Sequence, residues 1–170
     1  LVKNKFVYKE KCMIIRGSGV DINHFRYTPE NNNTTNVILA SRLLWDKGIG
    51  EFVGACKIIK SKNKNNVRFI IVGKIDEQNP SSIKEEELLE WQKKNILEWW
   101  GYKDNINEIY SNCNIVCLPS YREGLPKSLI EAAACGRAIV TTDVPGCREI
   151  VINGYNGILV PKKNTELLAK

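Results

Sequence analysis

The stretch from Tyr121 to Gly136 reads Y-R-E-G-L-P-K-S-L-I-E-A-A-A-C-G, and it decides the fold. The run N-I-V-C-L at 114–118 comes just before it and is typical of a buried strand. A helix is predicted from near Pro126, because proline is tolerated in a first helical turn. Gly136 suits the left-handed residue that ends a helix. The stretch therefore predicts a strand, a short loop and a helix N-terminus in succession.

That helix N-terminus is a predicted anion site. The amides of Leu125, Lys127 and Ser128 are the expected free donors, because the first amides of a helix have no partner within it. The aligned peptide dipoles add roughly half a positive charge at the same end. Phosphate groups bind readily in such a place.

Two carboxylates lie on either side of the predicted anion site. Glu123 precedes the helix, and Glu131 lies inside it, roughly 7.5 Å beyond Pro126 at the standard helical rise. Carboxylates accept hydrogen bonds from neutral hydroxyls. A ligand with phosphates in the middle and hydroxyls at both ends, such as a nucleotide sugar, therefore fits. The alternative is that Glu123 only complements the helix dipole and Glu131 is a solvated surface residue.

The composition excludes several classes of protein. A chain of 170 residues with 43% hydrophobic content predicts one globular domain with a real core. The net charge of +6 comes from scattered lysines. No basic stripe interleaved with aromatics is present in the sequence, so we expect no nucleic-acid partner. Weak attraction to an anionic membrane surface stays open.

The six cysteines are interpreted as free thiols. Most of them stand inside apolar runs, where cysteine behaves as a small hydrophobic residue. The single histidine, His24, stands in a polar segment without a neighbouring cysteine pair. The sequence therefore predicts neither a disulfide framework nor a zinc site.

Apolar runs alternate with helical patterns along the chain, which predicts a parallel sheet covered on both faces. The predicted strands are 12–16, 37–41, 67–72, 96–100, 114–118, 138–142 and 158–160, and the predicted helices are 49–60, 82–94, 106–112, 126–134, 148–151 and one from about 164. Residues 27–35 are interpreted as a linker or surface loop. The fold class is α/β, a doubly wound Rossmann-like parallel sheet of about six strands in the main domain. In such folds ligands bind at the carboxyl ends of the strands, so Arg42, Gly73, Gly101 and Glu123 should converge on one crevice.

Arg42 and Lys47 follow the strand at 37–41 and are candidate phosphate ligands. The sequence has no Asp-x-Asp pair to hold a divalent metal, so we expect these cations and the helix N-terminus to neutralise a diphosphate without a metal cofactor. It also has no Gly-x-Gly-x-x-Gly fingerprint and no Walker-type loop. A solvated loop remains the alternative for Arg42 and Lys47.

Two segments together resemble a known family. S-R-L-L-W-D-K-G at 41–48 and Y-R-E-G-L-P-K-S-L-I-E-A at 121–132 are similar to the retaining GT-B glycosyltransferases called group 1 or family 4. The Glu-x7-Glu spacing of Glu123 and Glu131 and the Arg-x4-Lys-Gly of 42–48 carry the resemblance. The flanking segments look most like bacterial enzymes that build polysaccharides or lipid-linked oligosaccharides.

The resemblance implies roles for these residues. Arg42 and Lys47 would hold the diphosphate and Glu123 the hydroxyls of the donor sugar, and these three are the candidate catalytic residues. Glu131 would bind the ribose hydroxyls. The other implied donor-binding residues are Gly73, Tyr102, Lys103, Gly124, Leu125, Pro126, Lys127 and Ser128, with Tyr102 and Lys103 at the edge of the base. The sequence departs from the family pattern at Pro126, which removes a backbone donor, and after Gly73, where a second glycine is missing.

The resemblance also implies an organisation and an activity. Residues 1–16 would end an interdomain segment with a first strand, and 17–170 would be the C-terminal, nucleotide-sugar-binding half of a GT-B fold, without its N-terminal acceptor domain. The implied reaction is retaining transfer from a UDP-sugar to a glycan or polyprenyl-linked acceptor, by a front-face mechanism, with the isolated domain inactive. The implied location is the cytoplasm, with peripheral association at the inner face of the membrane left open. A UDP-sugar epimerase and a non-catalytic nucleotide-sugar-binding module remain as alternatives.

Overall fold

The computed structural model describes residues 8–13, 17–30, 33–62 and 66–170. Its six strands are β1 (Thr35–Ala40), β2 (Val67–Val72), β3 (Glu98–Trp99), β4 (Ile115–Leu118), β5 (Ala138–Thr142) and β6 (Gly157–Val160). Its α-helices are α1 (Ile49–Ser61), α2 (Glu85–Lys93), α3 (Ile106–Ser111), α4 (Lys127–Ala134), α5 (Pro145–Arg148) and α6 (Thr165–Leu168). Short 3-10 turns occur at Lys9–Lys11 and Trp45–Lys47.

The strands form one parallel sheet in the order β3-β2-β1-β4-β5-β6. The chain moves outward from β1 to β3, then crosses to the other side of β1 and moves outward again. The predicted doubly wound α/β architecture is confirmed. The seam between the two halves is the β1–β4 pair, where only Val37↔Ile115 and Ile38↔Val116 are in register, compared with six residue pairs between β1 and β2.

Successive strand residues alternate between two cores, one on each face of the sheet. Ile38 and Ile70 pack on one face with residues of α3, α4 and α5. Leu39 and Ile71 pack on the other face with residues of α1 and α2. Because both faces are covered, the strands have the continuous apolar runs seen in the sequence.

Several predicted boundaries were wrong. The helix predicted at 148–151 is observed as α5, which begins at Pro145 with the proline in its first turn. The helix predicted at 82–94 begins only at Glu85. Pro126 caps α4 from outside, with extended backbone, so the helix itself starts at Lys127. These helices are short, and apolar periodicity fixes the ends of a short helix poorly.

Two predictions concern the segments before β1. The strand predicted at 12–16 has no counterpart at residues 12 and 13, and 14–16 lie outside the described residues. Residues 27–35 were interpreted as a linker or surface loop, and the described residues 27–30 have no helix or strand and are mostly exposed. The loop is attached to the domain, because the Arg137 guanidinium donates to the Thr28 carbonyl and Asn114 donates to the Glu30 carboxylate at 2.8 Å. Thr35 already belongs to β1. Residues 27–30 are therefore a surface loop held to the domain by hydrogen bonds, and not a free linker.

Among the described residues, no helix combines the length and apolar character that crossing a bilayer requires.

Five cysteines are buried and Cys12 is exposed, and all six are free, as predicted.

Candidate functional site

A cleft of about 300 Å³ lies at the carboxyl ends of β1 and β2. Loops after three strands and residues of two helices line it. They are Ala40, Ser41, Arg42, Val72, Gly73, Lys74, Tyr102, Lys103, Asp104, Ile106, Tyr110, Ser128 and Glu131. The cleft is therefore at the end of the sheet where the topology predicts a ligand.

Six of the predicted site residues meet in this cleft. They are Arg42, Gly73, Tyr102, Lys103, Ser128 and Glu131. The other predicted residues, Lys47 and Glu123 to Lys127 in the loop before and at the start of α4, are not among the lining residues, and neither is Gly101. The expected convergence is therefore observed for Arg42 and Gly73, and not for Gly101 and Glu123.

Gly73 lies where β1 and β2 leave the sheet side by side. A Cβ atom at this position would clash with the Ser41 carbonyl oxygen, so only glycine allows the two loops to approach so closely. Its amide donates to the Gly101 carbonyl at 2.9 Å, and its carbonyl accepts from the Trp99 indole at 3.1 Å. Gly73 thus fixes the floor of the cleft through its backbone.

Cations surround the mouth of the cleft. The Arg42 side chain is 62% exposed and lies 3.6 Å from the Asp76 carboxylate, a distance that allows only a weak, solvent-screened ion pair. Lys74 lies over the Tyr102 ring, with Nζ 6.0 Å from the ring centroid. Lys103 adds a third positive charge. The mouth therefore suits an anionic ligand group.

Glu131 is the acidic residue on the inner wall, and its exposed fraction is only 7%. Burial raises the pKa of its carboxyl, and the ammonium of Lys127, 3.5 Å away, partly opposes that rise. The alternative of a solvated surface residue is wrong for Glu131. A buried carboxylate facing a cleft offers acceptor oxygens to a neutral donor.

The N-terminus of α4 has open donors, as expected. Leu129 donates to the Pro126 carbonyl at 3.1 Å. The amides of Leu125, Lys127 and Ser128 have no hydrogen-bond partner within the described part of the chain. They remain available to an anion.

Lys47 and Glu123 form an ion pair beside the cleft, with Nζ 2.7 Å from Oε1. Their side chains are only 19% and 11% exposed, so the solvated-loop alternative is wrong for Lys47. The pair forms because Gly48, in left-handed conformation, lets the loop after β1 approach Pro119 at the end of β4, and a Cβ at Gly48 would clash with that proline's carbonyl oxygen. An ammonium has three donors and a carboxylate about four acceptor positions, so each partner keeps capacity for a ligand.

Tyr121 was missed by sequence reasoning. Its amide donates to the Asp46 carbonyl at 2.9 Å, and its hydroxyl donates to the Glu51 carboxylate of α1, with O–O distances of 2.7 and 2.8 Å. Burial, and then the bond to Glu51, raise the pKa of Tyr121 to about 12. The Lys163 ammonium lies 4.9 Å from its ring centroid. Tyr121 thus ties the loop that carries Lys47 to the loop that carries Glu123, and the sequence holds no spacing signal for this contact.

A larger groove of about 460 Å³ lies elsewhere, on the face of the sheet that α1 and α6 cover. Aliphatic and aromatic side chains such as Phe52, Ile115 and Leu168 make most of its lining. Its described lining residues offer no convergent set of polar groups of the kind that orients a ligand. The described residues also hold no cluster of three or more His, Cys, Asp or Glu side chains suited to a metal ion.

Comparison with known proteins identifies the family. Residues 21–170 match the family model described as glycosyl transferases group 1. The chain belongs to this family. The family resemblance of the two sequence segments is thereby confirmed.

Two curated relatives of this group 1 glycosyltransferase are bacterial. One is the N,N'-diacetylbacillosaminyl-diphospho-undecaprenol alpha-1,3-N-acetylgalactosaminyltransferase of Campylobacter jejuni, 39% identical over 79% of this chain and 33% of its own. Another is the capsular polysaccharide biosynthesis glycosyltransferase CapM of Staphylococcus aureus, 35% identical over 76% of this chain and 33% of its own. The chain thus spans about a third of the length of these relatives.

Solved structures share the fold. HepE of Anabaena, crystallised with UDP and glucose, superposes with a TM-score of 0.73 and 23% identity over 89% of this chain and 44% of its own. WaaG, a glycosyltransferase of lipopolysaccharide biosynthesis, superposes with a TM-score of 0.67 and 15% identity over 82% of this chain. The group 1 chain therefore has the Rossmann-like sheet of a GT-B glycosyltransferase.

Proposed function

We propose that this chain is the donor-binding domain of a retaining glycosyltransferase that uses a UDP-sugar. The observation that carries the proposal is the cleft itself. It combines Arg42, Lys74 and Lys103 at its mouth with the buried Glu131 carboxylate on its inner wall. Cations suit phosphates and a buried carboxylate suits hydroxyls, so this arrangement favours a ligand that carries both.

In this proposal the diphosphate lies at the N-terminus of α4. The open amides of Lys127 and Ser128 donate to its oxygens, and Arg42 supplies a guanidinium. Lys47 uses the donors that Glu123 leaves free. Together these groups stabilise the negative charge that grows on the diphosphate as it departs, without a metal ion.

The two glutamates then have different tasks. Glu131 accepts hydrogen bonds from the ribose hydroxyls, and Glu123, fixed by Lys47, accepts from hydroxyls of the donor sugar. In the front-face reaction, the bond between the anomeric carbon and the diphosphate oxygen breaks. The acceptor oxygen bonds to the same face of that carbon, and the acceptor's proton passes to the departing phosphate. Configuration is thereby retained.

The names of the relatives support the donor and the acceptor class. HepE was crystallised with UDP, and the Campylobacter enzyme's name describes transfer to a diphospho-undecaprenol-linked sugar. We propose a polyprenyl-linked or polysaccharide acceptor, bound by an N-terminal domain of the same polypeptide. Work at such an acceptor would bring the enzyme to the inner face of the cytoplasmic membrane.

Calorimetric titration with UDP, GDP and ADP tests the nucleotide assignment. We expect UDP to bind most tightly, and EDTA to leave its affinity unchanged because protein cations neutralise the phosphates. Arg42→Ala should weaken UDP binding roughly three- to tenfold. Arg68→Ala is the matched control, since Arg68 pairs with Glu98 at the opposite end of β2. No binding of any nucleotide would refute the proposal, and loss of binding in EDTA would refute its metal-free part.

Sugar transfer tests the assignment as half of an enzyme. The chain should not transfer sugar from UDP-glucose, UDP-N-acetylglucosamine or UDP-N-acetylgalactosamine to a polyprenyl-linked acceptor, whereas the full-length enzyme should use one of these donors with retention. Sustained turnover by the chain alone would contradict the two-domain proposal. Release of an epimerised free sugar without acceptor would favour an epimerase instead.

A further inference from the structure

Tyr110 of α3 has a buried hydroxyl without a partner. The residue is fully buried, and its ring lies in the core, with its centroid 6.4 Å from that of Phe25. Within the described part of the chain, no group makes a hydrogen bond of good geometry with its phenolic oxygen. An unsatisfied buried hydroxyl costs free energy that phenylalanine at the same position would not incur. Such a group calls for a specific explanation.

The position of the Tyr110 hydroxyl in the cleft explains why it is there. Tyr110 lines the cleft together with Ser128 and Glu131, which lie on the first turns of α4. Burial raises the pKa of the phenol, the negative charge of Glu131 raises it further, and the nearby Ser128 hydroxyl opposes the rise. The phenol therefore stays protonated and is a donor beside a carboxylate.

The Glu131 carboxylate has acceptor capacity to spare. Its described partner is the Lys127 ammonium at 3.5 Å, a long contact with a mostly exposed side chain. An ionised carboxyl has two oxygens and no proton to donate, so it orients a ligand only through that ligand's donors. Two neighbouring hydroxyls on one ring are the donors that two carboxylate oxygens match.

We propose that Tyr110 is a positioning residue that gives the cleft its preference for a ribonucleotide over a 2′-deoxyribonucleotide. When the ribose diol occupies the cleft, the Tyr110 hydroxyl donates to Glu131 and holds the carboxylate in the orientation that accepts both ribose hydroxyls. The hydroxyl, which the Ser128 side chain approaches without good hydrogen-bond geometry, thereby gains a well-placed acceptor in the complex. This inference rests on the proposed function, because it assumes that a nucleotide occupies the cleft.

Tyr110→Phe tests the inference, because it removes a single oxygen and keeps the ring in the core. UDP and 2′-deoxy-UDP are titrated into the chain and its variants by calorimetry, and Tm is measured in parallel. The unaltered chain should prefer UDP by about tenfold or more. In Tyr110→Phe, UDP affinity should fall about two- to tenfold and 2′-deoxy-UDP affinity less, while Tm stays equal or rises. Tyr155→Phe, which removes the hydroxyl of a tyrosine on an exposed turn, should change neither quantity.

The outcomes separate the inference from the proposed function. If the unaltered chain binds no nucleotide, both fail. If it binds UDP and Tyr110→Phe raises Tm without changing the preference, the hydroxyl is only an unsatisfied group and the inference fails alone. Equal loss for both nucleotides with a lower Tm would show a packing role and also overturn it. In a Glu131→Gln background, Tyr110→Phe should have no further effect on UDP affinity, and a full second loss would contradict action through Glu131.

Discussion

Replacing Glu131 by glutamine should weaken nucleotide binding without weakening the fold. The substitution keeps the size of a side chain that is only 7% exposed and removes its negative charge. A hydrogen bond to a charged group contributes about 1.5–3 kcal/mol. Loss of that interaction corresponds to roughly a 10- to 150-fold rise in the Kd for UDP.

Stability should move the other way. Burial of the ionised Glu131 carboxylate costs stability. Its ion pair with Lys127 offsets little of that cost, because the Lys127 side chain is 67% exposed. Glutamine removes the penalty, so Tm should stay equal or rise. Binding residues often reduce stability in this way.

The pH dependence follows from the raised pKa of Glu131. The pKa of Glu131 is higher in the folded state than in the unfolded state. At a pH above the folded-state pKa, the ionised carboxyl therefore destabilises the fold. As the pH falls from the folded-state pKa to the ordinary pKa of a glutamate, this destabilisation disappears. UDP binding should weaken over the same fall in pH, since the neutral carboxyl is a poorer acceptor. Subtracting the Glu131→Gln titration cancels the protonation of UDP itself.

Glu123→Gln is the comparison that can refute this reasoning. It removes the negative charge that pairs with the half-buried Lys47 ammonium and leaves that cation more available to the diphosphate, so UDP affinity should stay equal or rise. Calorimetry of both variants with UDP decides the matter. A larger loss of affinity for Glu123→Gln than for Glu131→Gln would mean that the nucleotide lies in the reverse direction across the helix.

Three further predictions test the structure around the site. Tyr121→Phe should lower the free energy of unfolding by about 1.5 kcal/mol, because its hydroxyl no longer donates to Glu51, and chemical denaturation measures this. Gly48→Ala should destabilise the fold more than Gly154→Ala. Both glycines have positive φ, which costs alanine about 1–2 kcal/mol at either position, but only a Cβ at Gly48 clashes with a backbone oxygen. Equal melting temperatures for the two variants would refute the close approach of the loop at Gly48 to Pro119. In a thiol titration of the native chain, Cys12 should react quickly and the five buried cysteines only after unfolding.

Most strands were predictable because their sequences are near-continuous apolar runs, whereas the strand predicted at 96–100 is only Glu98–Trp99 in the structure. β2 was predicted with the bounds that the structure has, since its run ends at Gly73. α5 was misplaced because four residues give no periodicity to read, and the proline at 145 could belong to a turn or to a helix start. Local sequence predicts the bounds of an element well when the element is long enough for its hydrophobic pattern to repeat.

The site was predictable as a location more than as a set of contacts. The order of the strands brings Arg42, Gly73 and Glu131 to one cleft, as the carboxyl-end rule requires. The ion pair between Lys47 and Glu123 joins residues 76 positions apart, and it depends on β1 and β4 being neighbours in the sheet. Nothing in either segment alone specifies that neighbour. The burial of Glu131 likewise depends on which side of α4 faces the sheet.

A ligand in the cleft would contact residues on both sides of the seam between β1 and β4. Arg42 and Tyr102 belong to the half of the sheet before the seam, and Ser128 and Glu131 to the half after it, so a molecule in the cleft holds both halves at once. Free ligand at 100 times its Kd stabilises a folded protein by about 2.7 kcal/mol. In the proposed complex, that free energy would add to the shared core and to the two β1–β4 residue pairs in holding the two halves together. If the cleft binds a nucleotide as proposed, the ligand-free domain should be the form in which the two halves separate most easily.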